Sequence, residues 1–185
     1  MTTVSQPNIQ TNRYPLPSSL ANWFDKPTLV RLALEAVNET EPQVSGGPGQ
    51  ASAAVSGSEF REWLTLLTYC YATAIYGSQQ IEFEATRDGC IRYLGGNHEL
   101  DANFIRHFRR AHRKRLHQSL TRLLTRAWER RAAGGWSLIP TEEADAYLLA
   151  SLNLKTKIES AERFALDAAQ RIGAAIQADS MALDD

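Results

Sequence analysis

The sequence predicts an all-α protein: a helical bundle with a helix-turn-helix-like core, one long basic helix and a C-terminal helix packed as a hairpin or coiled coil. Three observations point there. Apolar residues recur at helical spacing through most of the chain. No segment shows period-two alternation bounded by turns. Gly, Pro, Asp and Ser punctuate the periodic runs where helices would start and stop. With 185 residues and 43% hydrophobic content, the chain can bury one ordinary core and carry appendages.

Residues 1–24 are rich in Thr, Ser, Asn, Gln and Pro and read as a disordered tail. Residues 25–39 form a short helix. Asp25 can cap it, Pro27 suits its first turn, and Leu29, Leu32, Ala33 and Ala36 make one apolar face. Residues 40–58, dense in Gly, Pro and small polar residues, read as a flexible linker. The organised part spans 59–133. Its first helix carries Phe60, Trp63, Leu64, Leu67, Cys70, Tyr71, Ala74 and Ile75 on a wide apolar face, which makes it central to the core, and Gly77 ends it. Ser78 can cap the next helix, where Ile81, Phe83 and Ala85 are packing candidates. Asp88 and Gly89 break the chain before a short apolar turn at 90–94, and Gly95 and Gly96 end that turn. Asp101 then caps a long helix to about Ala132, with Phe104, Phe108 and Ala111 sharing its apolar side and Gly134 and Gly135 stopping it. A last helix lies within 136–180, capped by Thr141.

The formal net charge is −1, with 20 Lys+Arg against 21 Asp+Glu. Its distribution is uneven. Ten of the basic residues fall in the 26 positions from Arg106 to Arg131, where Glu129 is the sole acid. Solvated helix faces usually mix signs in i,i+4 pairs, and this one repels itself, so an anionic partner is expected. Arg106, Arg109, Arg110, Arg113 and Lys114 cluster opposite the aromatic side, and guanidinium forks match phosphate oxygens and the guanine edge. Asn103 and His107 are of the types that reach phosphates or base edges. These seven residues are the candidate contacts to double-stranded DNA. A short helix, a turn and then a basic helix is the order that a helix-turn-helix reader needs. The plainer alternative is that the acidic C-terminal helix neutralises the basic one within the chain.

Other function classes find little support. No apolar run reaches the ~20 residues that a membrane-spanning helix needs, and the N-terminus lacks a secretory pattern, so a cytoplasmic protein is expected. Cys70 and Cys90 read as reduced thiols. His107, His112 and His117 are spaced by five and fan around a helix, so no metal site is expected. No phosphate loop, nucleophile elbow or paired-carboxylate pattern appears, so neither a cofactor nor a catalytic residue is assigned.

The run LLTYCYATAIYGSQQIEFEATRD, then IRYLGG, then FIRHFRRAH resembles the N-terminal domain of insertion-sequence transposases of the DDE class, the InsH-like group. Gly77, Ser78, Ile81, Glu82, Tyr93, Leu94, Gly95, Asp101, Ile105, Phe108, Arg109, Arg110 and His112 stand at the pattern's places, over about one third of the chain. The resemblance implies DNA binding in transposition. Such transposases follow this domain with a catalytic domain whose acids hold two metal ions. Only about 50 residues remain here after Gly135, so the resemblance implies no strand transfer by this chain alone. In the C-terminal helix Tyr147, Ser151, Leu154, Ile158, Ala161, Ala165, Ala168, Ile172 and Ala175 make a heptad seam. That seam would pair with a second copy or a transposase, making the chain an interaction module that regulates assembly, or fold back on the basic helix as an antiparallel hairpin; a decayed transposase fragment is the remaining alternative.

Overall fold

Helix starts in this chain are set by side chains that take up free amide groups, and Asp25, Asp88 and Asp101 do so. Asp25 Oδ1 accepts from the Thr28 amide (3.2 Å), Asp88 Oδ1 from Cys90 (2.7 Å) and Asp101 Oδ2 from Phe104 (2.9 Å). The computed structural model describes residues 16–41, 57–96, 98–133 and 154–182, and in these it holds seven α-helices, one 3-10 turn and no strand. A 3-10 turn at Leu20–Asn22 leads into α1 (Lys26–Thr40). Then follow α2 (Gly57–Ala72), α3 (Ser78–Ala85), α4 (Gly89–Leu94), α5 (Ala102–Ala111) and α6 (Arg113–Ala133). The last is α7 (Leu154–Met181). The expected tail before residue 16, most of the linker, the stop at Gly134 and Gly135, the Thr141 cap, and Tyr147 and Ser151 of the seam lie outside the described residues.

α2 and α6 form the centre. Trp63 to Ala72 of α2 are buried without a gap, and Leu116, Leu120, Leu123, Leu124 and Ala127 of α6 close over them. α1 is part of this core and not an appendage. Leu29, Leu32, Ala33, Ala36 and Val37 are buried against α6 and α2, the expected face with one residue added. The end of the expected tail is also structural: Leu20 is fully buried, and the Trp23 ring lies tilted 6.1 Å from Trp128.

The long helix expected over 101–132 is two helices. His112 ends α5, with φ −117 and ψ 24, and its carbonyl accepts from Leu116 at the start of α6. The cause is packing. α5 lies on α3, whereas α6 lies on α1, α2 and α7, and a straight helix cannot serve both sets. The His112 ring fills the elbow, 4.6 Å from Phe108 and 4.9 Å from Phe60.

α7 runs antiparallel to α6, as the fold-back reading expects, and the connection between them lies outside the described residues. Phe164 meets Trp128 (6.2 Å), His117 Nε2 lies 2.8 Å from the Ala165 carbonyl, and Asp179 reaches back to α5. Ala168, Ile172 and Ala175 of the expected seam are buried inside the chain, and Ala161 is exposed. Over these turns the seam is covered by its own chain.

α2 ends at Ala72, five residues before Gly77. Arg171 of α7 explains the early stop. Its Nη1 donates to the carbonyls of Tyr71 (3.1 Å) and Ala72 (3.3 Å), which a helix end leaves free. The same guanidinium donates to Pro17 and Ser18 (both 2.7 Å) and to Asp167 (3.0 Å). The chain then turns through Ala74 at φ 64, and the Ile75 amide donates to Cys70 O at 2.8 Å. A Cβ in this left-handed conformation is strained. Ala74→Gly is expected to stabilise the protein by about 0.5–1 kcal/mol, read from urea midpoints at unchanged slope.

Candidate nucleic-acid interface

On α5 the positions Asn103, Arg106, His107 and Arg110 fall within one arc of the helix, away from the core. Asn103, His107 and Arg110 are exposed, and Arg106 is half-buried. Arg106 Nη2 donates to Asn103 Oδ1 at 2.6 Å, so these two act as one fixed polar pair. Arg113 and Lys114 are exposed at the start of α6, beyond the elbow. On the opposite side of α5 the two phenylalanines meet α2. Phe104 lies 4.5 Å from Trp63, and Phe108 lies 5.5 Å from Phe60.

Arg109 is not part of this surface, which corrects its assignment as a DNA contact. It is 3% exposed. Its Nη1 donates to the Tyr71 hydroxyl (3.1 Å) and its Nη2 pairs with Asp179 of α7. α5 is turned about a quarter-turn from the setting that Phe104, Phe108 and Ala111 imply: Ile105 is buried and Ala111 is exposed. A cation on the core side of a helix is tolerated only where an anion meets it, and that anion lies 70 residues away in sequence.

Asp179 has a second task. Gly77, which has no side chain, stands at the N-cap of α3, and Ser78 is the first helical residue and not the cap. Asp179 accepts from both the Ser78 amide and hydroxyl (2.7 Å each), so α7 caps α3. Burial alone would raise the Asp179 pKa, but the two Ser78 bonds and the Arg109 guanidinium outweigh it and hold the carboxyl below its usual 3.8. Burial also pushes the Tyr71 hydroxyl up to about 12, despite Arg109.

Three further cations of the segment are neutralised within the chain, by α1 and its C-cap residue Glu41. Arg115 pairs with Glu41 (3.1 Å), Arg122 with Glu39, and Arg126 with Glu35 (3.4 Å) and Glu39. Among the described residues, α7 pairs with Arg109 of this segment. Arg110, Arg113 and Lys114 make no ion pair among the described residues. Burial and then the Arg115 charge hold the His112 pKa below 6.5, which disfavours charge on this ring.

The helix-turn-helix expectation is met only loosely. Seven residues, 95–101, separate α4 from the basic α5, against the three- to four-residue turn of that motif. Gly96 at φ +60 shapes this connection, and a Cβ there would lie 2.8 Å from Glu62 Oε2. The turn brings His98 back to stack on Trp63 (5.8 Å) and to meet Glu62 at 2.9 Å. Among the described residues no three His, Cys, Asp or Glu side chains converge as metal ligands, and no helix is long and apolar enough to cross a membrane. No family model matches the chain, and no curated protein or solved structure is similar to it.

Removing Asp179 leaves a buried guanidinium unpaired. Asp179→Ala is expected to destabilise the fold by about 3–5 kcal/mol in chemical denaturation. Because the folded-state pKa is depressed, the Asp179 contribution is complete above pH ~4 and is lost as pH falls through the lower folded value. The acid limb of the stability profile should therefore be shallower in the variant.

Proposed function

We propose that this chain is a non-catalytic DNA-binding module that engages the phosphate backbone of duplex DNA through the α5–α6 elbow. The observation that carries the reading is the exposure of Arg110, Arg113 and Lys114 at the elbow with no ion pair among the described residues. Arg109, Arg115, Arg122 and Arg126 of the same two helices are buried or paired, and Arg130, exposed without a described ion pair, lies at the far end of α6. Arginine and lysine side chains so placed match phosphate oxygens and release counterions on binding. The sequence resemblance to transposase N-terminal domains supports the same reading. It also supports a role in transposition in which another protein supplies strand-transfer chemistry.

Three phosphate contacts give a log–log salt dependence with a slope of about −3. Fluorescence anisotropy with a mixed-sequence duplex should show this slope. Changing Arg110, Arg113 and Lys114 to Glu should abolish binding and leave the melting temperature nearly unchanged. Failure of the unaltered protein to bind at about 50 mM salt would overturn the proposal.

Neutralising Glu35, Glu39 and Glu41 to Gln frees Arg115, Arg122 and Arg126. Affinity should rise and the salt slope should steepen, with little loss of stability, because exposed ion pairs contribute at most about 1 kcal/mol each. This comparison is cleaner than deleting residues 136–185, which would remove Asp179 and Arg171 from the core.

A further inference from the structure

The outward side of α7 carries apolar residues that the bundle does not use. Leu166 is 66% and Ile176 37% exposed, and Ala169 and Gly173 lie between them. The spacing of three, four and three puts all four on one lane about 15 Å long. Nothing lies within 4 Å of a Cβ built on Gly173, so another backbone can approach closely there. Beside the lane, α6 and α7 enclose a groove of about 400 Å³ lined by Arg113, Lys114, His117, Ala169 and Ile172. Its floor is apolar, and its rim carries two of the cations left unpaired among the described residues.

We propose that this groove docks an amphipathic helix of a partner protein, with small and branched apolar residues facing α7 and acidic residues facing Arg113 and Lys114. Charge selects this occupant. A second copy laid antiparallel on the lane would set Leu166 against Ile176 and Ala169 against Gly173, centred on position 171. It would then bring the Arg113 and Lys114 pairs of both copies together across the two-fold axis, which like charges oppose. An acidic helix has the same apolar fit without that repulsion. The inference shares Arg113 and Lys114 with the DNA-binding proposal, so the acidic helix and the duplex compete for one cationic rim. Its apolar half is separate.

The probe is a labelled synthetic helical peptide with Leu and Ala at i, i+3, i+7 and i+10 and Glu on both flanks, titrated into the full chain. Saturable binding is expected, and it should be about tenfold weaker for the same peptide with Lys in place of Glu. Arg113→Glu with Lys114→Glu should reverse that preference. Gly173→Gln, which adds a side chain in open space and raises helix propensity, should weaken the peptide about tenfold and leave duplex affinity unchanged. That split separates failure of this inference from failure of DNA binding. Equal affinity for both peptides, no saturable binding, or a concentration-dependent dimer in light scattering that Gly173→Gln abolishes would overturn it.

Discussion

The buried pair between Arg109 and Asp179 is the constraint on which the arrangement of this molecule rests. It joins four elements at one point: Tyr71 of α2, Ser78 at the start of α3, Arg109 of α5 and Asp179 of α7. Two charges out of water are costly, and their mutual attraction offsets that only when the remaining donors and acceptors are filled. Here Tyr71 takes one guanidinium donor and the Ser78 amide and hydroxyl take the carboxylate oxygens, while the buried Arg109 Nε is left without a partner. The pair thereby sets the rotation of α5. With Arg109 turned in, Asn103, Arg106, His107 and Arg110 are turned out together, so the outer surface follows from an inner charge.

The basic segment is divided by geometry into parts with different work. One cation is structural and internal. Three on α6 are matched by the acidic edge of α1, across the flank where α1 buries its apolar face. The elbow holds Arg110, Arg113 and Lys114, which pair with no carboxylate among the described residues, and Arg130 at the far end of α6 is exposed in the same way. A count along the sequence treats all ten alike, and their protein environments do not. The elbow itself comes from His112, which fills the bend between Phe60 and Phe108 and lets two helices take different packing partners.

What the sequence made legible was mostly local. The aspartate caps, the α1 face, the central α2 and the fold-back of α7 on α6 all follow from periodicity and capping chemistry, and the structure has them. The departures come from contacts between distant positions. Wheel geometry places Arg109 outside because nothing nearby shows Asp179 coming to meet it. A signal existed: Asp179 lies four residues beyond Ala175 and seven beyond Ile172, in register with buried positions, as does Arg171 between Ala168 and Ala175. Opposite charges in register with apolar seams mark candidates for internal pairing. The end of α2 at Ala72 was hidden likewise, because its carbonyls are satisfied from α7 and not by a glycine turn. The candidate surface was legible in its residue types and only partly in its membership.

The bonds from Arg171 to Pro17 and Ser18 bear on the timing of synthesis. They span 154 and 153 residues, and Arg171 also satisfies the end of α2 from 100 residues away. During translation α1 and α2 leave the ribosome long before these partners exist. At about 5–20 residues per second, the last carbonyls of α2 wait roughly 5–20 s for Arg171, and Asp179 follows later still. The native core is therefore completed only as the chain's final helix emerges. Until then the N-terminal helices depend on water, or on a chaperone, for hydrogen bonds that the finished protein makes for itself.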